Sequence, residues 1–209
     1  MRPRFKEVFV ERNCFISLVA SAIEVHPKET TGLLIGKIAT RKVQKRNPKM
    51  VILQAAYPIQ TAGRRSSEVN PLKNKSAFLR AFNSIVAIPG FQIVGEYHSH
   101  PNLAELSDDD IGYIETRFDD IYKQGEVLLE PSRWLEIVIR TVRRDYTNAV
   151  DPGWSYRDHT RKASCVLRIP PKKGFDLTFG AFWIYRDKNR LRKKETDIYI
   201  PWTSSRYWT

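Results

Sequence analysis

Two histidines and a nearby group of carboxylates are the residues of this 209-residue chain best suited to chemistry. His98 and His100 follow an apolar run, in the segment GEYHSHP at 95–101. Side chains at positions i and i+2 of a strand point to the same face, about 6.5 to 7 Å apart, so both imidazoles can reach one ion. Zinc accepts histidine and carboxylate ligands, and a catalytic zinc site keeps its fourth position open. The pattern therefore favours a metal-dependent enzyme.

A helix start after these histidines supplies a third candidate ligand. Apolar residues recur at helical spacing from Ile111 to Tyr122, and Ser107 precedes them as a suitable N-cap. Asp110 then occupies the third helical position, which gives a capping-box arrangement with Asp in place of Glu. A carboxylate in the first turn projects toward the open end of the helix, which faces the strand terminus with the histidines. Asp108 and Asp109 would complement the positive end of the helix.

Each of these two features has an ordinary structural explanation when taken alone. Paired histidines can be polar residues at a strand end, and Ser-x-x-Asp is among the commonest helix starts. Glu96 shares the strand face of His98 and is interpreted as a hydrogen-bonded strand carboxylate. The histidine pair and the helix start together, within one loop of each other, favour a metal site.

The elements that must position these residues are strands and helices in one unit. Periodicity and breakers predict helices over 14–26, with Asn13 as N-cap, over about 78–86, and after Ser107. Strands are predicted at 8–10, 32–38, 50–55, 135–142, 164–169, 175–185 and 196–200, and a further strand begins at 91–94 and runs into the histidine pair. Loops are predicted at 58–71 and 144–163. The sequence therefore predicts an α/β fold: a single domain over 1–209 with a curved mixed β-sheet flanked by helices, and with loop insertions.

The chain is strongly basic, with a formal net charge of +12 and a pI near 9.8. Lysine and arginine favour non-specific nucleic-acid binding. However, the basic residues are spread along the chain, and the densest run, 188–194, is typical of a solvated turn or strand edge. Nucleic-acid binding is therefore disfavoured, and an acidic protein partner would explain the charge equally well.

Cysteine content and hydropathy indicate the compartment. Cys14 and Cys165 are the only cysteines, which is too few for a disulfide scaffold or a cysteine-based zinc site. The N-terminus leads into no apolar signal region, and no apolar stretch approaches about 20 residues. We therefore expect a cytoplasmic protein that has no membrane partner.

Two separated blocks resemble the motif of the JAMM family of zinc metalloproteases, also called MPN+ or JAB. His98-x-His100-Pro101 followed by Ser107-x-x-Asp110 resembles the metal block. HPKETTGLLIG at 26–36 resembles the first block, in which a Glu three residues before a Gly precedes an apolar strand. The resemblance covers about residues 8–142, is weak over 143–209, and implies the cytidine-deaminase-like JAMM/MPN fold.

The resemblance also implies a ligand set and a mechanism. One zinc ion per chain would be held by His98, His100 and Asp110, with water as the fourth ligand. Glu29 would accept the proton of that water and later pass it to the leaving amine. Ser107 would stabilise the tetrahedral oxyanion by hydrogen bonding.

The chain departs from the family pattern at one point. Six residues separate His100 from Ser107, whereas the family usually has seven. Ser107 and Asp110 shift together, which places a one-residue deletion in the loop before them. Asp109 is the fallback for the third ligand, and Asp108 is less favoured.

The leading functional hypothesis is a zinc-dependent isopeptidase or peptidase that cleaves a ubiquitin-like modifier from its conjugate or precursor. Family members bind an extended C-terminal tail beside a sheet edge near the metal. The candidate substrate contacts in the flanking loops are Arg64, Arg65, Trp154 and Tyr156. An alternative keeps the chemistry but processes or releases a small sulfur-carrier protein. From other classes, a non-catalytic MPN scaffold and a basic nucleic-acid-binding module are the alternatives.

Overall fold

The apolar runs of the sequence form the strands of one large β-sheet. The computed structural model describes residues 7–40, 49–59, 75–122, 133–159, 162–188 and 190–201. The helices of these residues are α1 (Arg12–Val25), α2 (Lys75–Val86) and α3 (Asp108–Tyr122). Their strands are β1 (Glu7–Val10), β2 (Thr31–Thr40), β3 (Lys49–Pro58), β4 (Ile93–His100), β5 (Arg133–Asp145), β6 (Gly153–His159), β7 (Ala163–Ile169), β8 (Lys173–Asp187), β9 (Arg190–Thr196) and β10 (Ile198–Tyr199).

The strands form a mixed sheet in the order β10-β1-β3-β2-β4-β5-β8-β7-β6, and β9 pairs with β8. Within it, β4 is antiparallel to β2 and parallel to β5. A parallel pair needs a crossover connection, and α3 lies in the crossover from β4 to β5. The end of β4 therefore lies close in sequence to the start of α3. The predicted α/β fold with a curved mixed sheet is confirmed.

Two apolar clusters pack on opposite faces of the sheet. The first cluster contains the buried residues of α1, and the second contains those of α2 and α3. Consecutive strand residues alternate between them, so that Leu34 belongs to the first cluster and Leu33 to the second. None of the helices in the described residues is long and apolar enough to cross a membrane.

The predicted start of the first helix is wrong. The N-cap of α1 is Glu11, which makes no side-chain capping hydrogen bond, and Asn13 lies inside the helix. The backbone N–H of Glu11 donates to the carbonyl of Leu53 at 2.8 Å, and the Phe15 N–H donates back to the Glu11 carbonyl at 2.9 Å. Strand pairing thus sets the helix start in place of a capping side chain.

The predicted loop over 144–163 is also wrong for much of its length. β5 continues to Asp145, and residues 153–159 form β6, which pairs antiparallel with β7. Trp154 packs against Phe15 of α1, with ring centroids 5.4 Å apart. This tertiary contact with the first cluster gives a polar segment the apolar anchor that a strand needs.

Candidate metal centre

The carboxyl end of β4 presents the two histidines side by side. Their Nε2 atoms lie 2.9 Å apart, and their ring centroids lie 4.7 Å apart. Both side chains are mostly buried, with exposed fractions of 14% for His98 and 17% for His100. Ser99 points to the other face of the strand and is buried. The alternation expected from the sequence therefore brings both imidazoles to one point.

The first turn of α3 brings a carboxylate to the same point. Asp110 N–H donates to Ser107 Oγ at 3.1 Å, and Ser107 N–H donates to Asp110 Oδ2 at 2.7 Å, which completes the predicted capping box. Asp110 Oδ2 lies 3.4 Å from Nε2 of His100 and 3.7 Å from Nε2 of His98. Ile114 and Phe118 hold the helix against the second cluster. Asp110, rather than Asp108 or Asp109, therefore lies beside both histidines, where the third candidate ligand was predicted.

Each histidine ring has a carboxylate on its outer nitrogen. His98 Nδ1 lies 2.6 Å from Glu136 Oε1, and His100 Nδ1 lies 2.9 Å from Glu29 Oε1. Because a carboxylate accepts hydrogen bonds, each Nδ1 carries the hydrogen and donates it. In the neutral rings, both Nε2 atoms then present lone pairs toward each other and toward Asp110.

This donor set fits a zinc ion. His98 Nε2, His100 Nε2 and Asp110 Oδ2 form a group, within the described residues, whose ligand atoms all lie within 4.8 Å of one another. Ligands about 2.0 to 2.2 Å from zinc at tetrahedral angles are about 3.3 to 3.6 Å apart. The two separations from Asp110 Oδ2, 3.4 and 3.7 Å, are close to this range, and the two Nε2 atoms are closer together at 2.9 Å. Two lone pairs and a carboxylate that converge so closely repel one another unless a proton or a metal cation lies among them. Nitrogen and oxygen donors in this number suit zinc.

Backbone pairing between distant parts of the chain brings Glu29 to this point. The Thr30 N–H donates to Ser99 Oγ at 3.0 Å, and the Ser99 N–H donates to the Thr30 carbonyl at 2.9 Å, across a separation of 69 residues. Thr31 stands opposite His98 in the β2–β4 register. The start of β2 is thereby fixed beside the histidines, and Glu29, two residues before Thr31, keeps 21% of its side chain exposed.

The electrostatics of the site favour positive charge. Hydrogen bonds to Asp110 and Glu29 outweigh burial and raise the pKa of His100 to about 9. Burial alone would raise the pKa of Asp110, but the hydrogen bond from His100 and the charge of His98 hold that pKa well below its usual range. Three carboxylates around two imidazoles create a negative potential that favours binding of a proton or a metal cation.

Long side chains from other strands hold the loop between the histidines and α3. Arg140 Nε donates to the carbonyl of Asn102 at 3.0 Å, and Lys193 Nζ donates to the carbonyl of Leu106. Leu106 itself is 2% exposed and packs in the second cluster. With the loop held in this way, Asp110 Oδ2 lies 3.4 Å from His100 Nε2, although the loop has one residue fewer than the family pattern.

The structure adds two residues that sequence reasoning did not select. Glu136 is 2% exposed in an otherwise apolar stretch of β5, and a charged residue in such a run is a signal, because burial of an unpaired charge is costly. Ser99 fixes the start of β2, as described above. It carries no such signal, since a small polar residue between two histidines has many explanations.

The described residues bring none of the predicted substrate contacts to this site. Arg64 and Arg65 lie outside the described residues. Trp154 packs against the first cluster, on the face of the sheet opposite the candidate metal centre. Tyr156 lies in β6 and pairs with Cys165 of β7. Three strands lie between β6 and β4 in the sheet. Contact of these residues with a substrate stays a prediction.

Comparison with known families identifies the class of this domain. The chain belongs to the family described as prokaryotic homologs of the JAB domain, whose model matches residues 11–148. The match includes all three candidate ligands together with Glu29 and Ser107. The JAB-domain family includes hydrolases, zinc isopeptidases among them.

Two further comparisons add little to the family match. No curated protein matches the chain. The solution structure of the protein DSY2949 from Desulfitobacterium hafniense is similar over 97% of this chain and 98% of its own, at 16% identity and a TM-score of 0.42. The family assignment therefore rests on the match over residues 11–148.

Proposed function

We propose that this protein is a zinc-dependent isopeptidase or peptidase that removes a ubiquitin-like modifier from its conjugate or precursor. The observation that carries this proposal is the convergence of His98 Nε2, His100 Nε2 and Asp110 Oδ2, with Glu29 and Ser107 in direct contact with that group. The family match supports it, because the family includes hydrolases of this kind.

The three ligands would hold one zinc ion and leave a coordination position open. When bound, zinc supplies Lewis acidity that polarises a carbonyl group and makes water nucleophilic near neutral pH. The protein contributes the orientation of the ligands, the transfer of protons and the stabilisation of developing negative charge.

Glu29 is proposed as the group that moves the proton. Its carboxylate contacts the ring of His100 and is partly exposed. A water molecule and a leaving amine can therefore both reach it. A carboxylate in this position can accept a proton during attack and return it to the amine, which contributes about 10²- to 10⁴-fold in rate. Its contact with His100 Nδ1 at 2.9 Å indicates a second role, the orientation of that ring.

Ser107 is proposed as the donor that stabilises the oxyanion. Its hydroxyl donates to Asp110 Oδ2 at 2.6 Å, while its backbone N–H donates to the same oxygen at 2.7 Å. Because the backbone bond persists when the hydroxyl rotates, the Ser107 side chain can turn to a substrate oxygen without loss of the whole cap. A single oxyanion donor is worth about 10²- to 10³-fold in rate.

A second candidate keeps this chemistry but changes the partner. The matching family is described as prokaryotic, which favours a small sulfur-carrier protein with the ubiquitin fold as the species that is trimmed or released. A non-catalytic scaffold is less well supported, because this chain has a complete set of ligands.

The proposal is tested by incubating the zinc-loaded protein with a panel of ubiquitin-like and sulfur-carrier proteins that bear C-terminal extensions. Cleavage is measured from product masses. We expect hydrolysis after the C-terminal residue of at least one modifier, and Glu29→Gln should keep the zinc but lower turnover by about 100-fold or more. Glu24→Gln, an exposed change on α1, is the matched control and should leave turnover unchanged.

Two outcomes would contradict parts of this proposal. Full turnover by Glu29→Gln would refute proton transfer by Glu29, because the amide can still accept the hydrogen bond from His100 but cannot take up a proton. A protein that binds zinc but cleaves no member of the panel would support the scaffold alternative.

A further inference from the structure

We propose that Glu136 is a positioning residue for the metal ligand His98 and that it sets the zinc affinity of the site. This inference rests on the proposed function to the extent that it requires His98, His100 and Asp110 to hold a metal. It assigns a role to a buried residue of β5 that lies outside the motif blocks.

The register of the sheet brings Glu136 to His98. β4 and β5 are parallel, and Glu136 of β5 stands directly opposite Glu96 of β4. Glu96 is two residues before His98, so its side chain lies on the same face of β4 as the histidine. Diagonal neighbours on adjacent strands are within reach of long side chains. The glutamate spans this diagonal, and its Oε1 lies 2.6 Å from His98 Nδ1.

The surroundings of Glu136 make this contact important. The side chain is 2% exposed, and its neighbours on the same strand face, Trp134 and Val138, are buried in the second cluster. A carboxylate in such a place costs several kcal/mol unless it is paired and hydrogen-bonded. An apolar residue would pack there without that cost, so stability alone does not account for a glutamate.

The contact orients the ligand in two ways. A short, charge-assisted hydrogen bond fixes the hydrogen of His98 on Nδ1, which leaves a lone pair on Nε2. It also sets the rotation of the ring, so that Nε2 lies 2.9 Å from Nε2 of His100 and faces Asp110. Outer carboxylates of this kind are worth about 10- to 100-fold in metal affinity.

The two outer carboxylates of the site differ in exposure. Glu29, beside His100, is 21% exposed and can reach solvent, whereas Glu136 is enclosed. A buried carboxylate with no access to water is poorly placed to exchange protons with a substrate. Glu136 is therefore assigned to orientation of the ligand and Glu29 to proton transfer.

The test compares the zinc affinity of the wild-type protein with that of Glu136→Gln and Glu136→Leu, measured by competition with a chromophoric chelator. We expect the affinity to fall about 10- to 100-fold in Glu136→Leu and by a smaller factor in Glu136→Gln, whose amide still accepts a weaker hydrogen bond. Glu96→Gln is the matched control, because Glu96 is an equally buried glutamate on the same face of the neighbouring strand. The zinc affinity of Glu96→Gln should fall by less than that of Glu136→Leu, because the contact between Glu136 and His98 remains in this variant.

A spectroscopic measurement separates orientation of the ring from a general loss of structure. In the zinc-loaded protein, the His98 Nδ1 proton should give a downfield NMR resonance that persists in Glu96→Gln and moves upfield in Glu136→Gln. Because Glu136→Gln is nearly isosteric, it keeps the test open if Glu136→Leu does not fold.

The outcomes distinguish this inference from the proposed function. If the wild-type protein binds zinc and the Glu136 variants bind it equally well, the positioning role is overturned and the metal site stands. Equal losses in Glu136→Gln and Glu96→Gln would also overturn it, since they would indicate a general effect of buried charge. If the wild-type protein binds no zinc, the proposed function and this inference both fail.

Discussion

The side chains of the site form an inner group of three and an outer pair of carboxylates. His98, His100 and Asp110 point inward, and Glu136 and Glu29 support the two rings from outside. Each imidazole therefore has one nitrogen committed to a carboxylate and the other available to a cation. The chemistry proposed for the protein depends on this division more than on any single ligand.

The zinc affinity is expected to rise with pH because His100 must lose a proton before it can bind the metal. Hydrogen bonds to Asp110 and Glu29 raise the pKa of His100 to about 9, so the ring is mostly protonated at pH 7. Zinc must displace that proton, and the apparent affinity should increase about tenfold per pH unit up to about pH 9 and then level off. Chelator competition from pH 6.5 to 9.5 measures this dependence.

The variant Glu29→Gln is the control for this dependence. Removal of the negative charge of Glu29 should lower the pKa of His100, because less negative charge then stabilises the imidazolium form. The zinc affinity should therefore level off at a lower pH. An affinity that stays constant between pH 7 and 9 would contradict the assignment of His100 as a ligand that is protonated in competition with the metal.

At the level of elements, strands β2, β4 and β5 and helix α3 each contribute one part of the site. β4 carries both histidines, α3 carries Asp110, β5 carries Glu136, and the segment just before β2 carries Glu29. The strand β9 lies beyond the residues matched by the family, yet its Lys193 bonds to the loop that leads into α3. The basic C-terminal segment therefore has a structural part in the site.

Loss of the Lys193 contact should weaken the attachment of the loop that precedes α3. Lys193→Met removes the hydrogen bond to the Leu106 carbonyl but keeps the aliphatic stem, so the position of Ser107 becomes less fixed. We expect turnover to fall about 2- to 10-fold, the equivalent of about 0.5 to 1.5 kcal/mol for one hydrogen bond. Lys194→Met is the matched control, because successive side chains of β9 point to opposite faces. Equal effects of both substitutions would exclude a specific role for Lys193.

Local patterns were sufficient to predict the parts of the site that depend on short stretches of sequence. The spacing of His98 and His100 and the Ser107–Asp110 cap both follow from the geometry of one element, and the structure has both. The approach of Glu29 depends on β2–β4 pairing, so only the resemblance to a family could suggest it. Glu136 depends on the parallel register of β4 and β5, which no local pattern encodes.

The wrong predictions for the first helix start and for residues 144–163 have the same cause. Trp154 lies in a polar stretch whose strand character becomes evident only when it packs against Phe15, about 140 residues away. The first helix starts at Arg12 because Glu11 pairs with Leu53 of another strand, which no capping residue signals. In both segments a tertiary contact overrides the local preference.

In the whole molecule, the candidate metal centre lies apart from the larger of the two apolar clusters. The first cluster packs between α1 and the opposite face of the sheet, and the site lies on the face covered by α2 and α3. Substitution of a ligand should therefore remove the metal without unfolding the first cluster. This separation allows metal content to be read independently of folding.

Zinc content is the most direct test of the central claim, that His98, His100 and Asp110 form a metal centre. Elemental analysis of protein purified without chelator should give about one zinc per chain in the wild type and in His26→Ala, whose ring packs against Phe175. His98→Ala and His100→Ala should be folded and contain almost none. A folded wild-type protein without zinc, which also takes up none when the metal is supplied, would contradict the account.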